Sequence, residues 1–202
     1  MKPSFRFYRV CYCIVRVLFG IVYWFKVYGK ENIPKGAAMV CANHSNVIDP
    51  IVIAFAFGLD HFLHFIAKVE LFKIPILSVV VTKLGAISVD RRIQDVTTVK
   101  TTLNYLKKGE KVAIFPEGRR VTEDESAEAK SGAIKLAERA EVPIVPIYIP
   151  RKKRLFRKVP LVIGEPYIVE KQQAKRSADE YAMLADELMK RIERLNPKTR
   201  TG

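Results

Sequence analysis

Short apolar runs alternate with segments of helical periodicity along most of the chain. The apolar runs, bounded by glycine, proline or polar residues, predict strands at residues 27–30, 37–42, 63–67, 86–90, 111–115, 142–149 and 161–169. Helical spacing of apolar positions predicts helices at residues 49–58, 75–84, 95–108, 129–140 and 177–195. This alternation, without a repeat or linker, predicts one α/β domain of three layers, with a central mixed sheet and helices on both faces. Two prolines predict that the strand at 142–149 is irregular or lies at a sheet edge.

The first 30 residues form a basic, aromatic segment without Asp or Glu. From Phe5 to Tyr28 the pattern is helical, with the basic residues on one arc and an apolar face opposite. The longest uncharged run, Val17 to Phe25, falls well short of the about 20 residues that a bilayer-spanning helix needs. We therefore predict an amphipathic interfacial membrane helix over residues 1–26, followed by the α/β domain over residues 27–202. The expected anchor residues are Arg6, Arg9, Arg16, Phe19, Tyr23, Trp24 and Lys26.

Two other interpretations of this segment stay open: a helix docked on the core of its own domain, and a membrane-spanning helix. The overall charge favours an anionic partner, since 35 Lys and Arg oppose 21 Asp and Glu in 202 residues, giving +14. Nucleic acid, anionic lipid and a phosphorylated small molecule all fit that charge. Three cysteines, without a cleavable signal, indicate a reducing compartment and no disulfide framework. His61 and His64 lie near Asp60, but no second ligand cluster follows, so we expect no metal.

The candidate chemistry begins with His44 and Asp49, which are five positions apart. On one continuous helix they would point roughly 140° apart, so they can meet only across a bend. The strand at 37–42 and Pro50, which suits a first helical turn, place such a bend between them, with Asp49 as the helix N-cap. The Asp49 carboxylate can then orient the imidazole, whose other nitrogen can take a proton from a substrate hydroxyl. A helix-capping Asp49 beside a structural His44 is the alternative.

Polar residues that follow the predicted strands extend this candidate site, because ligands of such sheets bind at the carboxyl ends of strands. These residues are His44, Lys68, the segments 90–92 and 116–120, and Lys130. A base that lies at the same edge of the sheet as several cations fits a substrate carrying both a hydroxyl and a phosphate. Each Arg alone could be a surface charge. The segment 151–158, with six cations in eight residues, contacts headgroups or an acidic carrier protein, or is a solvated loop.

Four blocks in this order resemble the glycerolipid acyltransferase superfamily, and within it most closely the bacterial branch that acylates 1-acyl-sn-glycerol 3-phosphate. They are a His-x4-Asp element at residues 43–50, Gly-x-Ile-x-x-Asp-Arg at 85–91, Phe-Pro-Glu-Gly at 115–118 and Val-Pro-Ile-x-Pro at 142–146. The resemblance covers about half of the chain. It implies an enzyme that moves a fatty acyl group from an acyl thioester, acyl-carrier protein or coenzyme A, to the sn-2 hydroxyl of that lipid, giving phosphatidic acid. No cofactor is implied beyond this co-substrate.

The resemblance also implies roles for particular residues. His44 would be the general base in a direct attack, and Asp49 would orient it, while no Ser or Cys serves as nucleophile. The acceptor-binding residues implied are Arg91, Glu117, Gly118, Arg119, Arg120 and Lys130. Lysophosphatidate and an anionic membrane would be the partners, which places the protein on the cytoplasmic face of the cell membrane as a peripheral or monotopic enzyme.

One departure from the family pattern leaves the acceptor open. The third block of this superfamily usually reads Phe-Pro-Glu-Gly-Thr-Arg-Ser, whereas Arg119 and Val121 stand here in place of Thr and Ser. A related enzyme that acylates glycerol 3-phosphate or another lysolipid is therefore an alternative. A basic nucleic-acid-binding module is a further alternative, although the chain contains no recognised binding motif. The sequence does not determine the acyl donor, the chain length or the oligomeric state.

Overall fold

The computed structural model describes residues 3–93, 95–122, 125, 127–172, 174 and 176–197. The helices are α1 (Phe5–Val22), α2 (Asp49–Phe57), α3 (Pro75–Lys83), α4 (Val96–Lys107), α5 (Gly132–Ala140) and α6 (Ala178–Arg194). The strands are β1 (Trp24–Tyr28), β2 (Ala38–Ala42), β3 (Leu63–Lys68), β4 (Ile87–Val89), β5 (Lys111–Ile114), β6 (Ile144–Tyr148) and β7 (Lys158–Ile163). Short 3-10 turns lie at Lys30–Asn32 and Val69–Lys73.

Seven strands form one sheet in the order β1-β7-β6-β2-β5-β3-β4. Neighbouring strands are parallel except β6 and β7, which are antiparallel, so the sheet is mixed. All five residues of the central strand β2 are buried. A parallel strand covered on both faces has to be apolar at every position, which explains the uninterrupted run from Ala38 to Ala42.

Two hydrophobic clusters cover the two faces of the sheet. One contains Leu106 of α4, Ile134 of α5 and Leu188 of α6. The other contains Val52 and Ile53 of α2. The α/β class, the central mixed sheet and the helices on both faces are therefore confirmed. Because β2 is parallel to β5, and β5 is parallel to β3, the carboxyl ends of these three strands meet at one edge of the sheet, where the candidate residues were expected.

The proline-containing strand was predicted to be irregular or to lie at a sheet edge, and the edge position is wrong. Strand β6 lies inside the sheet, between β7 and β2. Pro143 precedes it, and the carbonyl of Pro146 accepts a hydrogen bond from the N–H of Gly164, just beyond the end of β7. Ile144 exchanges two backbone hydrogen bonds with Tyr167, and regular pairing with β7 covers Ile147 and Tyr148. The missing N–H of Pro146 therefore falls between these two pairings, where the ladder is interrupted.

The predicted N-terminal helix ends earlier than the periodicity suggested. Helix α1 stops at Val22, and the following residues form β1, which pairs in parallel with β7 at the sheet edge. Trp24 and Lys26, predicted as anchors on the helix, therefore lie on a strand. Exposed and half-buried positions alternate along β1, so the segment has the two-residue period of an edge strand. The helical pattern of residues 24–28 is ambiguous because the segment is short, and backbone pairing with β7 makes it a strand.

Helix α1 packs against the domain through an aromatic face. The rings of Tyr8 and Phe62 lie 4.7 Å apart, and those of Tyr12 and Phe55 lie 5.3 Å apart, measured between centroids. Phe19 also contacts Phe55, and Tyr23 stacks on Phe19. The docked alternative for this segment is thus correct for one face of the helix. Phe19 and Tyr23, predicted as membrane anchors, are half-buried by these contacts.

The outward face of α1 is apolar as well. Val10, Ile14, Val17, Leu18 and Ile21 are each more than half exposed. Arg6, Arg9 and Arg16 are also exposed and, at about 100° per residue, fall on an arc beside this face. Of the residues described, no helix combines the length and the hydropathy required to cross a membrane.

Candidate active site

The predicted contact between His44 and Asp49 is present. His44 follows the carboxyl end of β2 and Asp49 is the first residue of α2, so the two meet across the connecting loop. His44 Nδ1 lies 2.9 Å from Asp49 Oδ2. The imidazole stacks on Phe115 at 4.0 Å between ring centroids, and its side chain is 17% exposed. An imidazole held at Nδ1 and partly open to solvent can accept a proton at Nε2.

Asp49 does not cap its helix as predicted. The N-cap position of α2 is Ile48, which makes no side-chain cap. The Asp49 carboxylate turns back toward the loop, where Oδ2 accepts the N–H groups of Ser45 and Asn46, both at 2.7 Å. These two bonds fix the loop that carries His44, and they hold the carboxylate in place for the imidazole. The sequence indicated an N-cap because any Asp before Pro resembles one.

The Asp49 carboxyl is fully buried, yet its pKa is lowered. Burial by itself raises the pKa of this group. The hydrogen bond from His44, the charge of Lys153 and the N–H of Asn46 lower it by more. The carboxylate therefore stays ionised while surrounded by protein.

Lys153 was missed by sequence reasoning. Its ammonium lies 2.7 Å from Asp49 Oδ1, and its side chain is 1% exposed. It also donates to Ser45 Oγ at 3.0 Å and to the Pro150 carbonyl at 2.8 Å. The residue was hidden in the basic segment 151–158, interpreted as a surface run. The rule that collected the other candidates, polar residues after the carboxyl end of a strand, applies here too, since this segment follows β6.

Glu117 holds the backbone of His44. Glu117 Oε2 accepts the His44 N–H at 2.7 Å, and Oε1 accepts Arg151 Nη2 at 2.7 Å. Arg151 also reaches Glu193 Oε1 of α6 at 2.8 Å. The pKa of Glu117 is raised, chiefly by burial, although Arg151 and the His44 N–H act in the opposite direction. Glu117 therefore contacts His44 and Arg151 through its carboxylate oxygens, and it also lines the cavity beside Phe115, where sequence reasoning expected the acceptor.

Two further contacts secure the segment around His44. The side-chain amide of Asn43 exchanges hydrogen bonds with the backbone of Ile149, at 2.7 and 2.8 Å, which extends the pairing of β2 and β6. The N–H of Val121 donates to the His44 carbonyl at 2.8 Å. Because Val121 uses its backbone here, this contact does not require the Ser that the family pattern has at that position. Both backbone polar groups of His44 are therefore bonded.

A cationic cavity of about 530 Å³ opens beside Phe115, the residue that stacks on His44. Its lining includes Arg91, Gly118, Arg119 and Lys130, together with the carboxylates of Glu117 and Glu128. Arg91 Nη1 donates a hydrogen bond to the Gly118 carbonyl. The structure thus brings five of the six predicted acceptor-binding residues, all but Arg120, together at a cavity beside His44.

The remaining cations of this region are placed differently. Arg119 lines the cavity and pairs with Glu125 at 2.9 Å. Arg120 is exposed and, unlike Arg119, is not one of the described residues that line the cavity. Within the described part of the chain, no three His, Cys, Asp or Glu side chains converge so as to hold a metal ion.

Comparison with known proteins shows the family to which this chain belongs. The profile of the Acyltransferase family matches residues 25–150, so the chain belongs to the acyltransferase family. A 1-acyl-sn-glycerol-3-phosphate acyltransferase of Bacillus subtilis is 33% identical over 95% of this chain and 98% of the relative. One of Borreliella burgdorferi is 30% identical over 78% of this chain and 62% of the relative.

A solved structure shows the same likeness. The crystal structure of the 1-acyl-sn-glycerophosphate acyltransferase PlsC from Thermotoga maritima superimposes with a TM-score of 0.65 at 28% identity, covering 96% of this chain and 78% of that one. The predicted enzyme class, an acyltransferase, is confirmed by the family match and by these relatives.

Proposed function

We propose that this enzyme transfers a fatty acyl group from an acyl thioester to the sn-2 hydroxyl of 1-acyl-sn-glycerol 3-phosphate, giving phosphatidic acid. The observation that carries the proposal is the His44 and Asp49 pair beside a cavity lined by cations. A base next to cations suits an acceptor with a hydroxyl and a phosphate. The names of the relatives from Bacillus subtilis and Borreliella burgdorferi support this acceptor.

The chemistry needs no covalent enzyme intermediate. His44 Nε2 takes the hydroxyl proton while the hydroxyl oxygen attacks the thioester carbonyl. Asp49 accepts a hydrogen bond from the Nδ1–H of His44 and stabilises the imidazolium that forms. When the tetrahedral intermediate collapses, the carbon–sulfur bond breaks and the proton on Nε2 passes to the thiolate. The products are the ester and the free thiol of acyl-carrier protein or coenzyme A.

The acceptor phosphate would occupy the cationic cavity. Arg91 and Arg119 supply guanidinium groups, which suit phosphate oxygens because of their planar, forked donors. Lys130 adds an ammonium on the same lining. Arg120, next in the chain to Arg119, is exposed and can turn toward a bound phosphate. In this arrangement Gly118 shapes the wall, and Glu117 acts indirectly by holding His44.

The outward face of α1 would rest on the cytoplasmic face of the cell membrane. Its apolar side chains fit the interface between headgroups and acyl chains, and Arg6, Arg9 and Arg16 lie where lipid phosphates would be. Ile74 and Ile76, at the start of α3, are also exposed, and α3 contacts the start of α1 through the Lys83 carbonyl. The enzyme would thus meet its lipid acceptor as a peripheral or monotopic protein.

The test is an assay of purified protein with acyl-carrier protein and coenzyme A thioesters against a panel of acceptors. We expect 1-acyl-sn-glycerol 3-phosphate to be preferred, and His44→Ala to reduce kcat by about 10²–10⁴-fold or more. His61→Ala is the matched control. Among the hydrogen bonds of the described residues, the His61 side chain has only one, to Lys111, which begins β5 at the end of that strand far from His44. An isolable acyl-enzyme, or near-normal turnover of His44→Ala, would overturn the mechanism. Preference for glycerol 3-phosphate or another lysolipid would replace the acceptor.

A further inference from the structure

Lys153 contacts the catalytic pair from the side opposite the imidazole. Asp49 Oδ2 faces His44 and the loop N–H groups, whereas Asp49 Oδ1 lies 2.7 Å from the Lys153 ammonium. We propose that Lys153 is a positioning residue for the acyl transfer, which acts through Asp49 to hold the His44 and Asp49 pair in its working charge state and geometry. This inference rests on the proposed function of His44 as a base.

The charge argument starts from burial. A carboxylate removed from water is costly unless an opposite charge compensates it, and Asp49 is fully buried. With Lys153 paired and His44 neutral, the cluster has no net charge before the reaction. Without Lys153 it would carry a buried negative charge that only a proton could neutralise, and the nearest acceptor of that proton is the imidazole. The ammonium therefore compensates the charge of the carboxylate, so that the pair needs no extra proton before the reaction and the imidazole can take one from the hydroxyl.

The geometric argument concerns the two loops that meet at the pair. Lys153 donates to Ser45 Oγ at 3.0 Å, and Ser45 Oγ donates to the Arg151 carbonyl at 2.9 Å. The N–H of Ser45 is at the same time bonded to Asp49. The loop after β6 is thereby attached to the loop that carries His44. Lys153 contacts both Asp49 and the neighbour of His44, so its loss affects charge and orientation together.

The other charged groups packed around this loop are engaged with one another. Arg151 reaches both Glu117 and Glu193, and Glu117 contacts the His44 backbone rather than its ring. Among the ion pairs of the described residues, Lys153 is the cation besides His44 that contacts Asp49. A change at Lys153 therefore acts on the charge of the pair through Asp49.

The experiment compares Lys153→Met, Lys153→Arg and Lys190→Met with the wild-type enzyme. Lys190 pairs with Asp186 at the same distance, 2.7 Å, but both side chains are about 60% exposed, so it is a matched lysine–aspartate control. We expect Lys153→Met to lower kcat about 10- to 100-fold, a part of what a general base contributes. Its KM should change less than about threefold, and the acidic limb of its kcat–pH profile should move to higher pH. Lys153→Arg should recover most of kcat, and Lys190→Met should match wild type.

The outcomes separate a positioning role from a structural one. A Lys153→Met enzyme with wild-type kcat and pH profile would overturn the proposal. So would a loss of kcat that is equal at every pH and tracks a lower melting temperature. If His44→Ala keeps its turnover, the proposed function itself fails, whereas an inactive His44→Ala with an unaffected Lys153→Met removes only the role of Lys153.

A second comparison does not depend on the stability of the single variant. Asp49→Asn with Lys153→Met removes the buried carboxylate together with its ammonium partner. If Lys153 acts through the Asp49 charge, this double variant should turn over as slowly as Asp49→Asn alone. A further loss of tenfold or more on adding Lys153→Met to Asp49→Asn would contradict the proposal.

Discussion

Replacing Arg151 with methionine would remove the partner of a buried carboxylate while it keeps much of the apolar stem. Arg151 Nη2 lies 2.7 Å from Glu117 Oε1, and the Glu117 side chain is 1% exposed. Breaking one side of a buried ion pair costs about 3–5 kcal/mol. Because the Arg151 side chain is 16% exposed, we expect the lower end, about 3 kcal/mol. In a chain of this size that corresponds to a fall in melting temperature of about 6–12 °C.

The effect should depend on pH in a defined direction. Burial already raises the pKa of Glu117, and Arg151 opposes that rise. In Arg151→Met the folded-state pKa should therefore rise further above the unfolded value. A carboxyl of this kind costs stability while it is ionised, and the cost shrinks as pH falls through the folded pKa toward the unfolded one. The difference in melting temperature from wild type should be larger at about pH 8 than at about pH 5.5.

The assay is thermal unfolding at both pH values, with Arg194→Met as the control. Arg194 pairs with Glu187 at 3.4 Å on the surface, with 68% of its side chain exposed, so its loss should cost less than about 1 kcal/mol. Activity of Arg151→Met should also fall, because Glu117 holds the His44 N–H. An Arg151→Met protein as stable as Arg194→Met, or one whose loss of stability is equal at both pH values, would refute the reasoning.

Two further predictions concern the membrane face and a strained turn. Val17→Glu on the outward face of α1 should weaken binding to anionic phospholipid vesicles in a sedimentation assay. The control is Val96→Glu, which changes a similarly exposed valine of α4 and should bind as wild type does. Equal binding by both variants would contradict the proposed membrane face. Gly85→Ala should lose about 2–3 kcal/mol in urea unfolding, because its φ is +76° and the added Cβ would lie 2.8 Å from His64 Nδ1. Gly109→Ala, with a φ of +82° and open space, should lose only about 1 kcal/mol, and equal losses would show that crowding at His64 has no effect.

The sequence predicted strands such as β2 and β5 well, for a physical reason. A parallel strand with both faces covered is apolar at every position, so its pattern can be recognised without knowing its neighbours. The ends of those strands were therefore placed well too, and with them His44, Gly118 and Lys130. The contact between His44 and Asp49 followed because the two residues could meet only across a bend.

Patterns that are decided by distant partners were predicted less well. Periodicity extended the predicted first helix to residue 26, but β7, far along the chain, pairs with Trp24 to Tyr28 and makes them a strand. The prolines of β6 suggested an irregular or edge segment, but backbone partners later in the chain pair with it on both sides of Pro146 and leave it inside the sheet. In each case the competing backbone partner is invisible to local sequence.

By itself, the sequence determined the order of strands and helices, the contact between His44 and Asp49, and the presence of cations after strands, because these depend on local pattern and short spacing. Only the tertiary structure decided that Asp49 bonds the loop before its helix, that Glu117 holds the backbone of His44, and that Lys153 is buried against the same carboxylate. Lys153 and Ser45 are 108 positions apart. In a run of six cations, nothing local distinguishes the one that folding buries from those it leaves in water.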